Sequence, residues 1–487
     1  MASRFITTDT IVASGYAVDL TGNIDDLYVG ANATVGTESA GVGVRAQSSA
    51  NYIFVAGHIF GPGGISYTAN STGGAVSVYA GGSVTGSGTA ISFDGTSGAV
   101  TNAGTIAGNR GIYSDGNTTV TNSGSIFGQL DAVFVIGDGT VVNTGLLVAN
   151  NAVYVNGQAD ISNYGMMRGE VITQGFDDTL VNRGTITGTT QTGAGNDLVD
   201  GIGGRFEKLV DLGAGNDTFW GGSGADVVSG GVGNDEIDGG EGNDMFVVVS
   251  GDGSDDYIGG GGSDYYDAHL LTDAVVVELV NGLAKNGGGT DLLFGIERVY
   301  GGSGHDRLTG DAMGNLLRGG AGNDVLFGGD GNDFLSGGLG RNSLYGDNGN
   351  DRMIGGGNAD LLYGGAGNDQ ITGGLDVDYM VGGTGADKFI FTDFEEFIPM
   401  ATANLDRIVD FERGADKIDL SAIDALAAAG DQAFSFVGTA AILAFGQLNY
   451  HQTSTTTIVS IGFNTASAFD VIRLDGLFTL TAADFIL

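Results

Sequence analysis

The chain has 487 residues, 58 acids against 18 bases, a net charge of −40, 93 Gly, 2 Pro and no Cys. That charge argues against a nucleic-acid or anionic-membrane partner, and the missing Cys excludes a disulfide framework and thiol chemistry. Gly without a three-residue period or much Pro excludes collagen, and a 41% hydrophobic share excludes a disordered chain, so the Gly must serve turns in a folded, turn-dense protein.

Residues 1–190 repeat at a period near 20. The clearest copies are Val100–Gly108 and Val120–Gly128, with looser ones around Asn143, Asn163 and Asn182, and Gly57 and Gly82 as irregular early members. Alternating runs such as Ala132–Ile136 and Ala152–Val155 read as strands. Two or three short strands and their turns make one coil of a β-solenoid. The recurrent Asn is expected in a turn, bonding backbone groups of the neighbouring coil. Met1 to Tyr16 has no continuous apolar core, so no amino-terminal secretory signal is expected. No run reaches the roughly 18 apolar residues of a membrane span.

Residues 191–267 hold a first block of nonapeptides of the form Gly-Gly-x-Gly-x-Asp-x-apolar-x. Residues 268–300 form a spacer with a strand-like Ala274–Val280, and residues 301–390 hold ten further nonads in unbroken register. Six turn residues and three strand residues per nonad leave one side chain pointing inward, at position eight. That position is apolar or aromatic throughout, from Val199 and Phe219 to Leu326, Leu344, Met380 and Phe389. Two nonads complete a coil, so the reading is a thin parallel β-roll.

Position six is Asp at 197, 217, 226, 235, 244, 255, 264, 306, 324, 333, 351, 360, 369, 378 and 387, and Asn at Asn315 and Asn342. Residues 18 apart stack, giving one column of Asp306, Asp324, Asn342, Asp360 and Asp378 and another of Asn315, Asp333, Asp351, Asp369 and Asp387. Carboxylates one strand spacing apart repel, and no Lys or Arg stands at matching positions. A hard divalent cation with oxygen ligands answers this, backbone carbonyls supplying the neutral donors. The metal-ligand candidates are therefore Asp197, Asp217, Asp226, Asp235, Asp244, Asp255, Asp264, Asp306, Asp324, Asp333, Asp351, Asp360, Asp369, Asp378 and Asp387. The cation is Ca²⁺, roughly ten ions or more at about one per pair of turns, and a core one side chain wide is not expected to fold without it.

These nonads resemble the repeats-in-toxin (RTX) family of type I secreted proteins. In residues 391–487, Gly thins out. Asp406–Phe411 and Gly414–Asp424 look like the C-terminal domain of serralysin-type proteins, and the end, Leu480–Leu487, is similar to that family's uncleaved export signal. Strands are expected near Thr455–Ile461 and Asp470–Leu474, and a short helix over Leu420–Ala429. The resemblance implies export through a type I ABC transporter by way of the C-terminus, a secreted or cell-surface location, and folding on external calcium.

No catalytic residues are assigned. His58, His269, His305 and His451 are unpaired, so no His-Glu-x-x-His zinc helix exists, and no Gly-x-Ser-x-Gly elbow is present. His58 reads as a surface or turn residue. A β-helical polysaccharide lyase or epimerase is the alternative, but residues 1–190 contain only Arg4, Arg45, Arg110, Arg168 and Arg183 and no Lys to neutralise a polyanionic sugar. The preferred reading is a non-enzymatic structural protein: a surface-layer subunit, filament or adhesin, with a cell-surface glycan as a further candidate partner. Outward positions of the second block place Phe327, Tyr345 and Tyr363 on one face, a stripe expected to meet another copy in a homo-oligomer or lattice.

Overall fold

The computed structural model describes residues 2–20, 24–47, 51–68, 73–392, 405–423, 433–444, 446–464 and 467–487. These residues form strands, turns and short 3₁₀ segments, with no α-helix among them, and no helix there is long and apolar enough to cross a membrane. The chain divides into one unit of residues 1–247 and 252–262 and a second of residues 248–251 and 263–487.

In the first unit the regular coils carry three short parallel strands each, for example Gly98–Asn102, Thr105–Ala107 and Arg110–Ser114. Each strand pairs in register with its counterpart one coil on, so Val100 meets Val120, then Val141, Ile161, Leu180, Val199 and Phe219. These β-branched and aliphatic side chains are buried, each contributing about 1.5–3 kcal/mol. The middle strand persists through Ile186 and Phe206 and is absent from the register of the following nonads. There the coil shortens to two strands, and the ladder runs on through Ile237 and Tyr257.

The recurrent Asn explains how the wider coils turn. Asn102, Asn122, Asn143, Asn163 and Asn182 are fully buried. Each of the first four donates from Nδ2 to Oδ1 of the next, at 2.7, 2.8, 2.9 and 2.9 Å. Nδ2 of Asn143 also faces the Met166 carbonyl, and its Oδ1 accepts from Gly145 N at 3.2 Å. A buried amide that satisfied cannot be replaced by a plain turn residue. Gly145 lies so close to the coil before it that an added Cβ would sit 2.1 Å from the Gly124 carbonyl oxygen.

The second unit has the same two-ladder plan. Val277, Leu308, Leu326, Leu344, Leu362, Met380 and Ile408 stack on one side. Val299, Leu317, Leu335, Met353, Ile371, Phe389 and Ile418 stack on the other. The spacer contributes coil strands at Val276–Glu278 and Arg298–Tyr300, with an antiparallel excursion through Leu283–Lys285 and Thr290–Phe294 between them. Strands Thr456–Asn464 and Ser467–Asp475 pair antiparallel in the C-terminal domain. Of the helix expected over Leu420–Ala429, residues 421–423 form a turn and bend, and 424–429 lie outside the described residues.

Candidate metal centres on the aspartate columns

Most nonad turns, those of 221–229, 301–309 and 310–318 excepted, are built around backbone in the left-handed region at positions two and four. Gly320 and Gly322 have φ of 107° and 130°, and in the nonads that keep this conformation without Gly the substitutes are Asp347, Asn358 and Asp376 at φ of 69–71°. Asp and Asn are the side chains that tolerate this region best. The turn folds the position-six side chain back under the position-one Gly of its own nonad.

The columns form as the spacing requires. The backbone N–H of Asp306 donates to Asp324 Oδ1, that of Asp324 to Asn342, Asn342 to Asp360 and Asp360 to Asp378, at 2.7–3.0 Å. The other column runs from Asn315 to Asp333, Asp351, Asp369 and Asp387, at 2.7–2.9 Å. In the first unit, Asp197 N–H donates to Asp217, Asp217 to Asp235, Asp235 to Asp255, and Asp226 to Asp244, at 2.7–2.8 Å. The fifteen aspartates are all buried.

One oxygen of each carboxylate is thus engaged. The other, Oδ2, has no hydrogen-bond partner at Asp217, Asp235, Asp324, Asp333, Asp351, Asp369 and Asp387. By contrast, Oδ2 accepts from Gly222 N at Asp226, from Tyr257 Oη at Asp255 and from Gly302 N at Asp306. Burial pushes the carboxyl up to about 7 at Asp217, Asp235 and Asp360, and to about 6 at Asp324, Asp333, Asp351, Asp369 and Asp387.

What faces the bare oxygen is another acceptor. A Cβ built on Gly346 would lie 2.4 Å from both Asp351 Oδ2 and the Gly364 carbonyl oxygen. Gly364 repeats this with Asp369 Oδ2 and the Gly382 carbonyl, each at 2.4 Å. Asn342 is an internal control: its Nδ2, standing where Asp has Oδ2, donates toward the Gly340 and Gly355 carbonyls at 3.3 and 3.5 Å. Where the residue is Asp, carboxylate and carbonyl oxygens converge with no proton between them, a donor set that fits a hard cation and not a hydrogen bond. Among the described residues no three His, Cys, Asp or Glu side chains cluster as a metal site, and the oxygens standing beside Asp351 and Asp369 are the backbone carbonyls of Gly364 and Gly382.

The columns extend beyond the nonads. Asp178 Oδ1 accepts from Ala159 N at 2.6 Å, and Asp178 N donates to Asp197 at 2.8 Å. In the second unit Asp378 N donates to Asp406 at 2.9 Å and Asp387 N to Asp416 at 3.0 Å, while Glu297 Oε2 accepts from Asp264 N at 2.9 Å. None of these four stands in a full nonad. The recoverable signal was the bare Asp-x-apolar triplet in Asp178-Thr-Leu180, Asp406-Arg-Ile408 and Asp416-Lys-Ile418. His58, exposed, shares a hydrogen bond with Ser83 Oγ at 2.8 Å.

Residues 259–487 match the family described as Peptidase M10 serralysin C terminal, and residues 211–246 the RTX calcium-binding nonapeptide repeat. No curated protein matches the chain significantly. Among solved structures, the AlgE6R2 subunit of the Azotobacter vinelandii mannuronan C5-epimerase is 24% identical over 38% of this chain and 88% of its own, with a TM-score of 0.21. The extracellular lipase LipA of Serratia marcescens is 18% identical over 60% of this chain, with a TM-score of 0.18, and the match spans 45% of the lipase. At such scores neither likeness bears on activity. The family matches and the parallel β-roll agree: this is an RTX protein, with calcium-binding nonapeptide repeats, a serralysin-type C-terminal domain and a β-solenoid ahead of them.

Proposed function

We propose that the chain is a secreted structural protein of the bacterial cell surface or extracellular matrix that folds and assembles when it meets calcium outside the cell. The observation that carries the calcium part is the convergence of Asp Oδ2 and glycine carbonyl oxygens, with no donor between them, at turn after turn. Calcium bound there supplies the positive charge that buried stacked carboxylates lack. The fifteen position-six aspartates are the ligands, joined by Asp178, Asp406 and Asp416 at the column ends; at Asp217, Asp235, Asp324, Asp333, Asp351, Asp369 and Asp387 the side chain holds the register through Oδ1 and turns a bare Oδ2 to the metal. Export follows the serralysin-type C-terminal domain through a type I transporter.

Assembly is assigned to the face of Phe327, Tyr345 and Tyr363. Their rings stack at 4.8 and 5.2 Å, with Arg307 over the Phe327 ring, and remain half-exposed. A flat aromatic ladder suits contact with the same ladder on a second copy. Circular dichroism of the calcium-stripped chain should gain β signal cooperatively on adding Ca²⁺. Replacing Asp333, Asp351 and Asp369 by Asn should raise the calcium needed, and an equally folded stripped protein would refute the reading. Replacing Tyr345 and Tyr363 by Ser should leave that titration intact while abolishing calcium-dependent assemblies in negative-stain microscopy.

A further inference from the structure

The solenoid of the first unit carries a polar groove that the calcium columns do not use. One outward register column runs Arg45, Ser66, Ser92, Tyr113, Phe134 and Tyr154 along successive coils. Large side chains stand at both ends and two serines between them, so a gap opens over two coils. At one strand spacing per coil, Arg45 and Tyr113 are about 14 Å apart. The groove has a volume of about 420 Å³, and Ser66, Ser92, Asp94, Arg110 and Tyr113 line it.

Its chemistry is ordered. Ser66 and Ser92 both donate to Asp94 Oδ2 at 3.3 Å, long bonds that leave Oδ1 without a donor among the described residues. Arg110 is fixed by Nε donating to buried Asp131 at 2.8 Å, itself held by Asn151 at 2.7 Å, and lies over the Phe134 ring at 4.4 Å. Its outer nitrogens therefore remain as oriented donors. Tyr113 stacks on Phe134 at 5.7 Å on one side, and its register neighbour on the other side is ringless Ser92. Its hydroxyl is anchored by Asp115. Arg45, one register step beyond Ser66, is likewise fixed, by Asp19 and by the Tyr16 ring 3.7 Å away.

We propose that this groove binds a neutral polysaccharide. A sugar ring presents an apolar face edged by hydroxyls, which calls for an aromatic ring flanked by fixed acceptors and donors. Tyr113 supplies the ring, Asp94 and the two serines the acceptors, and Arg110 the donor. With the Arg45 end included, Asp19, Asp94, Asp115 and Asp131 outnumber Arg45 and Arg110, so a uronate chain is disfavoured. The site lies in the solenoid and is independent of the calcium-column and assembly readings.

The test is calorimetric titration of the calcium-loaded full-length protein with neutral oligosaccharides of glucose and mannose in several linkages, and with oligoalginate as the charged control. At least one neutral sugar should bind. Asp94→Asn, which keeps the shape, and Tyr113→Ala should each weaken it about tenfold or more. Ser92→Trp, which fills the gap while leaving the Ser66–Asp94 bond, Arg110 and Tyr113 in place, should abolish it. Tyr345→Ser should change nothing, and circular dichroism checks that each variant is folded. No binding of any neutral sugar, tighter binding of oligoalginate, or wild-type affinity in Asp94→Asn and Ser92→Trp would overturn the proposal.

Discussion

Removing calcium at controlled pH tests the column chemistry most directly. In the metal-free fold, burial raises Asp324, Asp333, Asp351, Asp369 and Asp387 from 3.8 to about 6 and Asp360 to about 7. A shift of two units corresponds to about 3 kcal/mol per group. Even discounted for solvent screening, six such groups together are of the same order as the roughly 5–15 kcal/mol that holds an ordinary domain folded. The folded pKa lies above the unfolded one, so the folded chain holds more protons between the two. Stability is then fully present below about pH 4 and is lost as pH rises through 6 to 7. Calcium-stripped protein should therefore be unfolded in its nonapeptide region at pH 7.5 and regain β structure toward pH 5, reversibly. Far-UV circular dichroism measures this, and fluorescence of Trp220, on the strand Thr218–Trp220, follows the first unit. A β signal without calcium that is flat from pH 5 to 8, or that grows with pH, would refute the reasoning.

Gly346→Ala places a methyl group 2.4 Å from Asp351 Oδ2 and the Gly364 carbonyl, and should raise the calcium needed for folding several-fold. Gly357→Ala, whose Cβ meets nothing nearer than Leu339 at 3.5 Å, should stay within about 0.5 kcal/mol of wild type in urea unfolding with calcium. Asn143→Ala strips partners from Asn122, Asn163 and Gly145 and should cost about 2–3 kcal/mol of first-unit stability, read by thermal unfolding in calcium. Carboxypeptidase should trim the last residues of the calcium-stripped chain and spare those of the loaded chain; equal trimming of both would refute the docking of the C-terminus on the column end.

The nonads were the most legible part of the chain because one rule set every position. Apolar residues at position eight, Gly at the left-handed turns and Asp at position six together left a two-strand coil as the natural reading. The solenoid was legible in period, and its strand count only as two or three. Its middle strand is as short as Thr105–Ala107, too short for alternation to register. The Asn were placed in turns from their chemistry, yet their side-chain ladder depends on coils that differ slightly in length and still align. Asp178 was hidden because Phe176, at φ 79°, holds the turn position that Gly holds elsewhere. Asp416 was visible in principle, since Gly414 at φ 93° keeps the Gly-x-Asp spacing. The groove was beyond sequence reading: Ser66 and Ser92 become neighbours only because this coil is longer than the period of the later ones.

The column ends of the second unit tie the C-terminal domain to the same electrostatics. Asp387 N–H ends on Asp416 Oδ1, and Asp416 Oδ2 accepts from Glu412 N at 2.6 Å. The strand that follows, Lys417–Asp419, pairs with Phe485–Ile486, and Lys417 Nζ donates to the Ala483 carbonyl at 2.5 Å. Arg413 lies 3.5 Å from Asp484, whose carboxylate also accepts from Thr481 N at 2.7 Å. The last residues of the chain are thus held by a strand whose register is set by the final aspartate of a column. If the stacked carboxylates keep the calcium-free roll from forming, that strand has no template and the C-terminal segment has nothing to pair with. One balance of charge then governs both the roll and the exposure of the segment that a type I exporter would have to reach.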